Sequence, residues 1–202
     1  MFDGHTSDVS IVILAAGKSS RLGRDKLSEL FCGRPLFRIA IDASLAAGCR
    51  KVVFVTSREF AEQHLSGASL PESVIVVINE QRDEGISSSI RKGLEYCADS
   101  GAVLLMVADQ PFVTAPLLSR IMCEHMKNRS KIIACCVNGR FRNPALFPSE
   151  YFPLLRGLKG ETGGSAVMAA SRSSVVCIEV DDVQLRDIDT QDDIEILRRV
   201  SK

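Results

Sequence analysis

Short apolar runs alternate along the chain with stretches in which apolar residues recur at helical spacing. The apolar runs have the length of buried parallel strands and lie at 11–14, 52–56, 74–78 and 102–108. Further strands are predicted at 131–137, 175–180 and 185–188. Helical spacing and its boundary residues predict helices at 35–45, 58–65, 90–96, 115–126, 165–170 and 191–200. The segment 138–164 contains several glycines and prolines and is expected to be irregular.

The alternation of strands and helices predicts an α/β fold with a mostly parallel central sheet and helices on both faces, in one domain over residues 1–202. Right-handed crossovers bring the carboxyl ends of parallel strands to one edge of the sheet. Leu14, Ile78 and Ala108 each end a buried run directly before a polar cluster. We therefore expect the first loop, the 79–89 segment and Asp109 to surround one cleft.

The loop after the first strand combines small residues with positive charge. Residues 15–17 are small enough for a ligand to approach the backbone and meet its N–H groups. The charge of the loop, which suits a polyphosphate, comes from Lys18, Arg21, Arg24 and Lys26. A P-loop is excluded because Val12 stands at its first glycine, and the next glycine after Gly17 is Gly23, which excludes the dinucleotide spacing. Phosphate binding and an ordinary strand-to-helix turn both remain open from this loop alone.

Composition and charge narrow the class of protein. Hydrophobic residues make up 46% and charged residues 25% of the 202-residue chain, which is typical of a globular protein. The formal net charge of zero argues against a general affinity for nucleic acid or an acidic membrane. Residues 1–10 lack the apolar core of an export signal, and the apolar runs are too short to span a bilayer. The seven cysteines include no C-x-x-C, so we expect reduced thiols in a cytoplasmic protein.

Two further polar features follow predicted strands. Asp109 lies between the 102–108 run and Pro111, where a carboxylate suits either a Mg²⁺ ligand or the cap of a turn. Residues 87–89 are three serines before an apolar helix, where serines are usually caps. At the end of a strand they are equally able to present hydroxyl groups to a base or ribose.

Four stretches of the chain carry a resemblance to a known family. The first loop, Leu14-Ala15-Ala16-Gly17-x-Ser19-x-Arg21-x-Gly23-x-x-Lys26, resembles the signature of the MobA-like nucleotidyltransferases, which include molybdenum cofactor cytidylyl- and guanylyltransferases. Ala108-Asp109-Gln110-Pro111 resembles the family's second signature, whose aspartate binds a metal. The stretch 186–193 resembles its closing Asp-Ile-Asp-Thr-Pro-Glu-Asp motif, and the segment 79–94 resembles its base- and sugar-contacting region. The resemblance extends over nearly the whole chain.

The resemblance implies a Rossmann-like nucleotide-diphospho-sugar transferase fold and transfer of a nucleotide, with loss of pyrophosphate, to a phosphorylated acceptor. It implies Mg²⁺ as the cofactor, with Asp109 as a ligand. We expect Asp189, at the end of the predicted strand 185–188, to be the second ligand. The implied catalytic residues are Arg21, Lys26 and Asp109. The implied nucleotide-binding residues are Leu14, Ala15, Ala16, Gly17, Lys18, Ser19, Ser20, Arg21, Lys26, Asn79, Ser88, Ser89 and Asp109. The implied acceptor-binding residues are Asn143, Pro144, Gly160, Thr162 and Gly163.

The chain departs from the family on the acceptor side. Arg142-Asn143-Pro144 stands where cytidylyltransferases have Gly-His-Pro, and 160–165 replaces their Gly-Asp-x-Gly-Ala-Arg. The small residues 15–17 resemble the cytidylyl type, which favours CTP as donor and molybdopterin as acceptor. Guanylyl transfer to the same cofactor and transfer to a sugar or polyol phosphate remain alternatives. So does a non-catalytic protein that delivers molybdenum cofactor to a molybdenum hydroxylase.

Overall fold

The structure of the chain is a computed structural model, which describes residues 8–17, 25–67, 69–190 and 192–193. Within these ranges the strands are β1 Val9–Ala15, β2 Leu30–Phe31, β3 Arg34–Pro35, β4 Val52–Thr56, β5 Val74–Ile78, β6 Ala102–Val107, β7 Ile132–Val137, β8 Arg140–Pro148 and β9 Val175–Glu179. The α-helices are α1 Leu36–Ala46, α2 Arg58–Phe60, α3 Ile86–Glu95, α4 Ala115–Lys127, α5 Phe152–Arg156 and α6 Gly164–Ala170. A π-helical turn, Ala61–Leu65, continues α2. Single 3₁₀ turns lie at Lys26–Ser28, Arg82–Glu84, Ser149–Tyr151, Arg172–Ser174 and Asp182–Leu185.

Seven of these strands form one sheet in the order β5-β4-β1-β6-β8-β7-β9, and β2 pairs with β3 separately. The neighbours β5, β4, β1 and β6 run parallel, as do β7 and β9. Strand β8 is antiparallel to both of its neighbours. The predicted α/β fold with a mostly parallel sheet is confirmed. Because β1 lies between β4 and β6, the first loop and Asp109 leave the same edge of the sheet side by side.

The alternation of side chains along β1 divides the core into two layers. Ile11 and Ile13 pack on one face with residues of α1 and α4, whereas Val12 and Leu14 pack on the other with residues of α3, α5 and α6. Full burial of each such side chain contributes about 1.5–3 kcal/mol. Gly93 lets α3 pack directly on the sheet, since a Cβ there would lie 2.5 Å from Val12 Cγ1. The two layers hold β1 rigidly and thereby fix the point from which the first loop departs.

Part of the segment 138–164 is regular, so the expectation of an irregular segment is wrong over β8 and α5. Prolines argue against a strand because they cannot donate to the ladder. Here β8 is bulged: Ala145 lies opposite Ala134, while Arg142 lies opposite the next residue, Cys135. Pro144 falls in that bulge, where no ladder bond is required of it. The bulge is a property of the pairing and cannot be read from the segment itself.

Two other local predictions are corrected. The strand predicted at 185–188 is absent, because Asp182–Leu185 forms a 3₁₀ turn and the next residues run beside Asp109 without joining the sheet. Helix α3 starts at Ile86 after Gly85, so residues 87–89 are buried within its first turns and do not cap it. Residues 192–193 are helical, and the remainder of the predicted helix 191–200 lies outside the described residues.

The expectation that all cysteines are reduced is wrong for one pair, since a disulfide joins Cys136 of β7 to Cys177 of β9. The parallel register places Cys177 opposite Ala134 and Cys136 opposite Glu179, and the two cysteine Cα atoms are 5.7 Å apart. With 41 positions between them in the sequence, only the pairing of the strands brings these thiols together.

Among the helices of the described ranges, none has both the length and the apolar character required to cross a bilayer.

Candidate active site

Lys26 lies at the meeting point of three distant parts of the chain. It begins a 3₁₀ turn whose preceding residue, Asp25, accepts a hydrogen bond from Leu27 N at 3.0 Å. The Lys26 ammonium donates to Asp109 Oδ2 at 2.5 Å and to Asp189 Oδ1 at 2.7 Å. The Lys26 and Asp109 side chains are 15% and 18% exposed, whereas that of Asp189 is 44% exposed. The pair with Asp109 therefore forms the protected part of the cluster, and Asp189 faces solvent.

The backbone around the two carboxylates is held by hydrogen bonds on either side of Ile188. Ile188 N donates to Asp109 O at 3.0 Å, and its buried side chain packs with Leu36. Asp193 Oδ2 accepts from Asp189 N at 3.2 Å and from both Thr190 N and Thr190 Oγ1, at 2.9 and 2.7 Å. Asp193 N donates back to Thr190 Oγ1 at 3.2 Å. This reciprocal pair of bonds is a capping box, and it fixes the chain that carries Asp189.

Electrostatics keep the Lys26 ammonium charged. Burial by itself lowers the pKa of Lys26, but the charges and hydrogen bonds of Asp109 and Asp189 outweigh it and raise the pKa above the usual value. Burial, together with the nearby Asp109 charge, raises the pKa of Asp187. Asp187 Oδ1 accepts from Gln110 Nε2 at 2.9 Å, so this carboxylate is directed at Gln110. Asp109 and Asp189 thus both accept hydrogen bonds from Lys26, whereas Asp187 accepts one from Gln110.

A buried polar network lies behind the first turn of α3. Asn79 follows β5, is 3% exposed, and donates through Nδ2 to Ser88 Oγ at 2.8 Å and Ser89 Oγ at 2.9 Å. Its Oδ1 accepts from Gln81 N at 3.0 Å, and Ser88 Oγ donates to Gly85 O at 2.8 Å. Asn79 and Ser88 therefore hold the turn that presents Ser89.

The cleft beside this network has a volume of about 450 Å³. It is lined by Leu14, Ala16, Gly17, Arg82, Asp83, Gly85, Ile86, Ser89, Val107, Asp109 and Glu161. Five of these belong to the implied nucleotide-binding set, and Ala15 is buried in β1 beneath them. Four further members of that set, Lys18, Ser19, Ser20 and Arg21, lie outside the described residues. Arg82, Asp83 and Glu161 were not predicted; Glu161 stands where the family motif has aspartate, and that substitution was a usable signal.

Within the described chain, none of the implied acceptor residues lines this cleft. Gly160 packs against Gly85, and its carbonyl accepts from Ser87 N at 3.2 Å. Gly163 lies beside Ile86, and Thr162 N bonds to Lys159 O at 3.2 Å within the same loop. Asn143 and Pro144, joined by a cis peptide bond, lie on β8 just beyond its last pairing with β6.

The carboxylates fit a hard divalent cation. Asp109 and Asp189 converge on a single ammonium group, and Asp109 Oδ1 is buried without a hydrogen-bond partner. Oxygen-only donors of this kind suit Mg²⁺ or Mn²⁺. Cys136, Cys177 and Glu179 form another compact group of metal-ligand types in the described chain, but its sulfur atoms are bonded to each other.

The fold of this chain is shared with solved structures that include nucleotidyltransferases. A nucleotidyl transferase from Methanothermobacter superimposes with a TM-score of 0.77 at 23% identity over 96% of this chain and 97% of that one. The Rv0371c protein of Mycobacterium tuberculosis H37Rv gives 0.80 at 26% identity, covering 95% of this chain and 98% of its own. Molybdopterin-guanine dinucleotide biosynthesis protein A of Archaeoglobus fulgidus gives 0.67 at 17% identity over 95% and 97% of the two chains.

Residues 11–175 match the MobA-like NTP transferase domain, and the chain belongs to that family. The resemblance found in the sequence motifs is thereby confirmed. The purine catabolism protein PucB of Bacillus subtilis is 28% identical over 93% of this chain and 95% of its own. The nicotine blue oxidoreductase of Paenarthrobacter nicotinovorans is 31% identical over 60% and 59%. A Mn²⁺ complex of Rv0371c, 24% identical and with a TM-score of 0.76, is among the structures of this fold.

Proposed function

We propose that this nucleotidyltransferase moves CMP from CTP to a phosphorylated small molecule, molybdopterin, and releases pyrophosphate. The observation that carries the proposal is the placement of the Lys26 ammonium between Asp109 and Asp189, of which Asp109 lines the same cleft as Gly17. Nucleotidyl transfer at an α-phosphate needs positive charge and carboxylates that bind a metal, next to a phosphate-binding loop.

In the proposed reaction, a phosphate oxygen of the acceptor attacks the α-phosphorus of the nucleoside triphosphate. The new P–O bond forms as the bond to the β-phosphate oxygen breaks, and the electron pair leaves with pyrophosphate. Little covalent help from the protein is needed, since positioning and neutralisation of charge supply most of the catalysis. Lys26 supplies a positive charge for the α-phosphate and the leaving group. Arg21 and the N–H groups of 16–20 are proposed to hold the triphosphate.

Asp109 and Asp189 would hold the divalent cation, for which we propose Mg²⁺. When bound, such an ion would neutralise negative charge that develops on the phosphate oxygens. The buried, unpartnered Oδ1 of Asp109 is the oxygen in this cluster that gains most from a cation. Asp193, which fixes Asp189 N, keeps the second carboxylate within reach.

The donor and the acceptor are proposed on separate grounds. The buried Asn79 network supports Ser89 on the wall proposed for the base and ribose. Residues 15–17, which resemble the cytidylyl type, support CTP. Molybdopterin is supported by the MobA-like family and by the molybdopterin-guanine dinucleotide biosynthesis named for the Archaeoglobus protein. A molybdenum hydroxylase would then be the recipient of the product.

The proposal is tested by incubating the protein with Mg²⁺, molybdopterin and each of CTP, GTP, ATP and UTP while pyrophosphate is measured. Release with CTP is the expected result. Release with GTP would assign guanylyl transfer, and release only with a sugar or polyol phosphate would replace the acceptor. If no nucleotide gives pyrophosphate although molybdopterin binds tightly, the protein delivers the cofactor and does not modify it.

A further inference from the structure

The loop between α5 and α6, residues 157–163, packs against the start of α3. Gly85, at φ +90, lies so close that a Cβ there would be 2.4 Å from Gly160 C. Ser87 N donates to Gly160 O at 3.2 Å, and Ile86 N lies 3.4 Å from Glu161 Oε2. The loop is therefore seated on backbone groups of the same turn that carries the serines of the cleft.

A single guanidinium group spans this contact. Arg91, one turn further along α3, donates through Nη1 to Leu158 O at 2.7 Å and to Ser87 Oγ at 3.2 Å. Its Nη2 donates to Glu84 Oε2 at 2.8 Å. The three acceptors belong to the 157–163 loop, to α3 and to the 3₁₀ turn at Arg82–Glu84. The planar fork of arginine serves several acceptors at fixed angles, which the point charge of lysine cannot reproduce.

The loop held in this way contributes Glu161 to the cleft that Asp109 and Ser89 also line. Loops position side chains only as well as their own backbone is fixed, and a misplacement of about 1 Å is able to cost on the order of 10²-fold in rate. The Leu158 carbonyl and the Gly160 carbonyl are two points at which this loop is tied to α3.

We propose that Arg91 is a positioning residue that fastens the 157–163 loop to α3 and so fixes the place of Glu161 in the cleft that Ser89 and Asp109 also line. The inference rests on the proposed nucleotidyl transfer for its catalytic consequence. Arg91 acts through the loop and does not itself contact a substrate. Loss of the Arg91 side chain is expected to lower the turnover of bound nucleotide far more than it lowers the affinity for the nucleotide.

The kinetic test compares Arg91→Gln and Arg91→Lys with the control Lys92→Gln. The control also removes one positive charge from α3, but Lys92 pairs with Glu95 and not with the loop. Arg91→Gln should reduce kcat about 10- to 100-fold, while the Kd of a non-hydrolysable triphosphate changes by less than about threefold. The kcat of Arg91→Lys should lie between those of Arg91→Gln and the wild type, and the kcat of Lys92→Gln should equal that of the wild type. An unchanged kcat in Arg91→Gln, or an equal loss of nucleotide affinity, would overturn the proposal.

Amide hydrogen exchange provides a readout that needs no acceptor. Peptides covering 157–163 should exchange faster in Arg91→Gln than in the wild type or Lys92→Gln, with the exchange of the β1 and β6 peptides unchanged. Equal exchange of the loop in all three proteins would show that Arg91 does not fasten it. If the loop loosens but the wild type transfers no nucleotide to any acceptor, the fastening stands and the proposed function fails.

Discussion

The Lys26 ammonium lies 2.5 Å from Asp109 Oδ2 and 2.7 Å from Asp189 Oδ1, carboxylates 83 and 163 positions away in the sequence. The lysine thus occupies the point at which the two carboxylates converge. A divalent cation held by these two carboxylates would compete with this ammonium for their negative charge. Release of Lys26 from the carboxylates would leave its charge available to the phosphates of a nucleotide.

This competition predicts opposite effects of Lys26→Met on metal binding and on catalysis. In the absence of nucleotide, removal of the ammonium should tighten Mn²⁺ binding on the order of tenfold, because a repelling charge beside the carboxylates is lost. Transfer should slow by about 10²–10³, as for other preorganised charges. Mn²⁺ titration followed by electron paramagnetic resonance measures the first effect. Lys26→Arg is the control that retains the charge, and an unchanged Mn²⁺ affinity in Lys26→Met would exclude the competition.

Asp109 and Asp187 are predicted to differ in importance although they are close neighbours. Asp109→Asn removes a charge that Lys26 and the proposed cation share, so pyrophosphate release should fall by at least about 10²-fold. Asp187 is directed at Gln110, and Asp187→Asn keeps a side chain of the same shape there. Its loss of activity should stay within about tenfold. Equal activities of the two variants would contradict the assignment of Asp109 as the metal ligand.

The Asn79 network should contribute measurably to stability. Asn79→Ala removes the partner of two buried serine hydroxyls and should lower the free energy of unfolding by about 1–3 kcal/mol. Asn128 is a suitable control, because its amide also donates two bonds but lies half-exposed at the end of α4. Asn128→Ala should cost less than about 1 kcal/mol. Urea unfolding of the two variants gives the comparison, and similar midpoints would mean that the network adds little.

Protonation of His125 is predicted to lower the free energy of unfolding at mildly acidic pH. The His125 side chain is 3% exposed on α4, and its Nδ1 has no hydrogen-bond partner. Burial, and to a smaller extent the Arg129 charge, lowers the pKa of His125 below 6.5, while the Asp8 carboxylate acts in the opposite direction. The unfolded chain therefore takes up this proton first, so the contribution of neutral His125 is complete above about pH 6.5 and declines as the pH falls below it. The free energy of unfolding should decline more steeply between pH 7 and 5 in the wild type than in His125→Leu, which carries no titrating group at that position. Parallel curves, measured by chemical denaturation, would assign the acid sensitivity to other groups.

Elements with a strong local pattern were predictable from the sequence. The strands around 11–14, 52–56 and 74–78 and the helix at 115–126 lie within a few residues of their predicted positions, because apolar periodicity reports burial directly. The strand β8 was missed because Pro144 argues against a strand unless the ladder is bulged. The disulfide of Cys136 and Cys177 depends on the pairing of β7 with β9, which no local pattern encodes.

The sequence by itself determined the family, the α/β alternation and the convergence of a small-residue loop and Asp109 at one edge of the sheet, since these follow from local pattern and handed crossovers. Only the tertiary structure decided which side chains meet there. Lys26 is bound by Asp109 and Asp189, while Asp187 is directed to Gln110. Arg91 joins α3 to a loop 67 positions away. Such pairings depend on how separate elements pack, because the distance between two side chains is set by the whole fold and not by the sequence around either one.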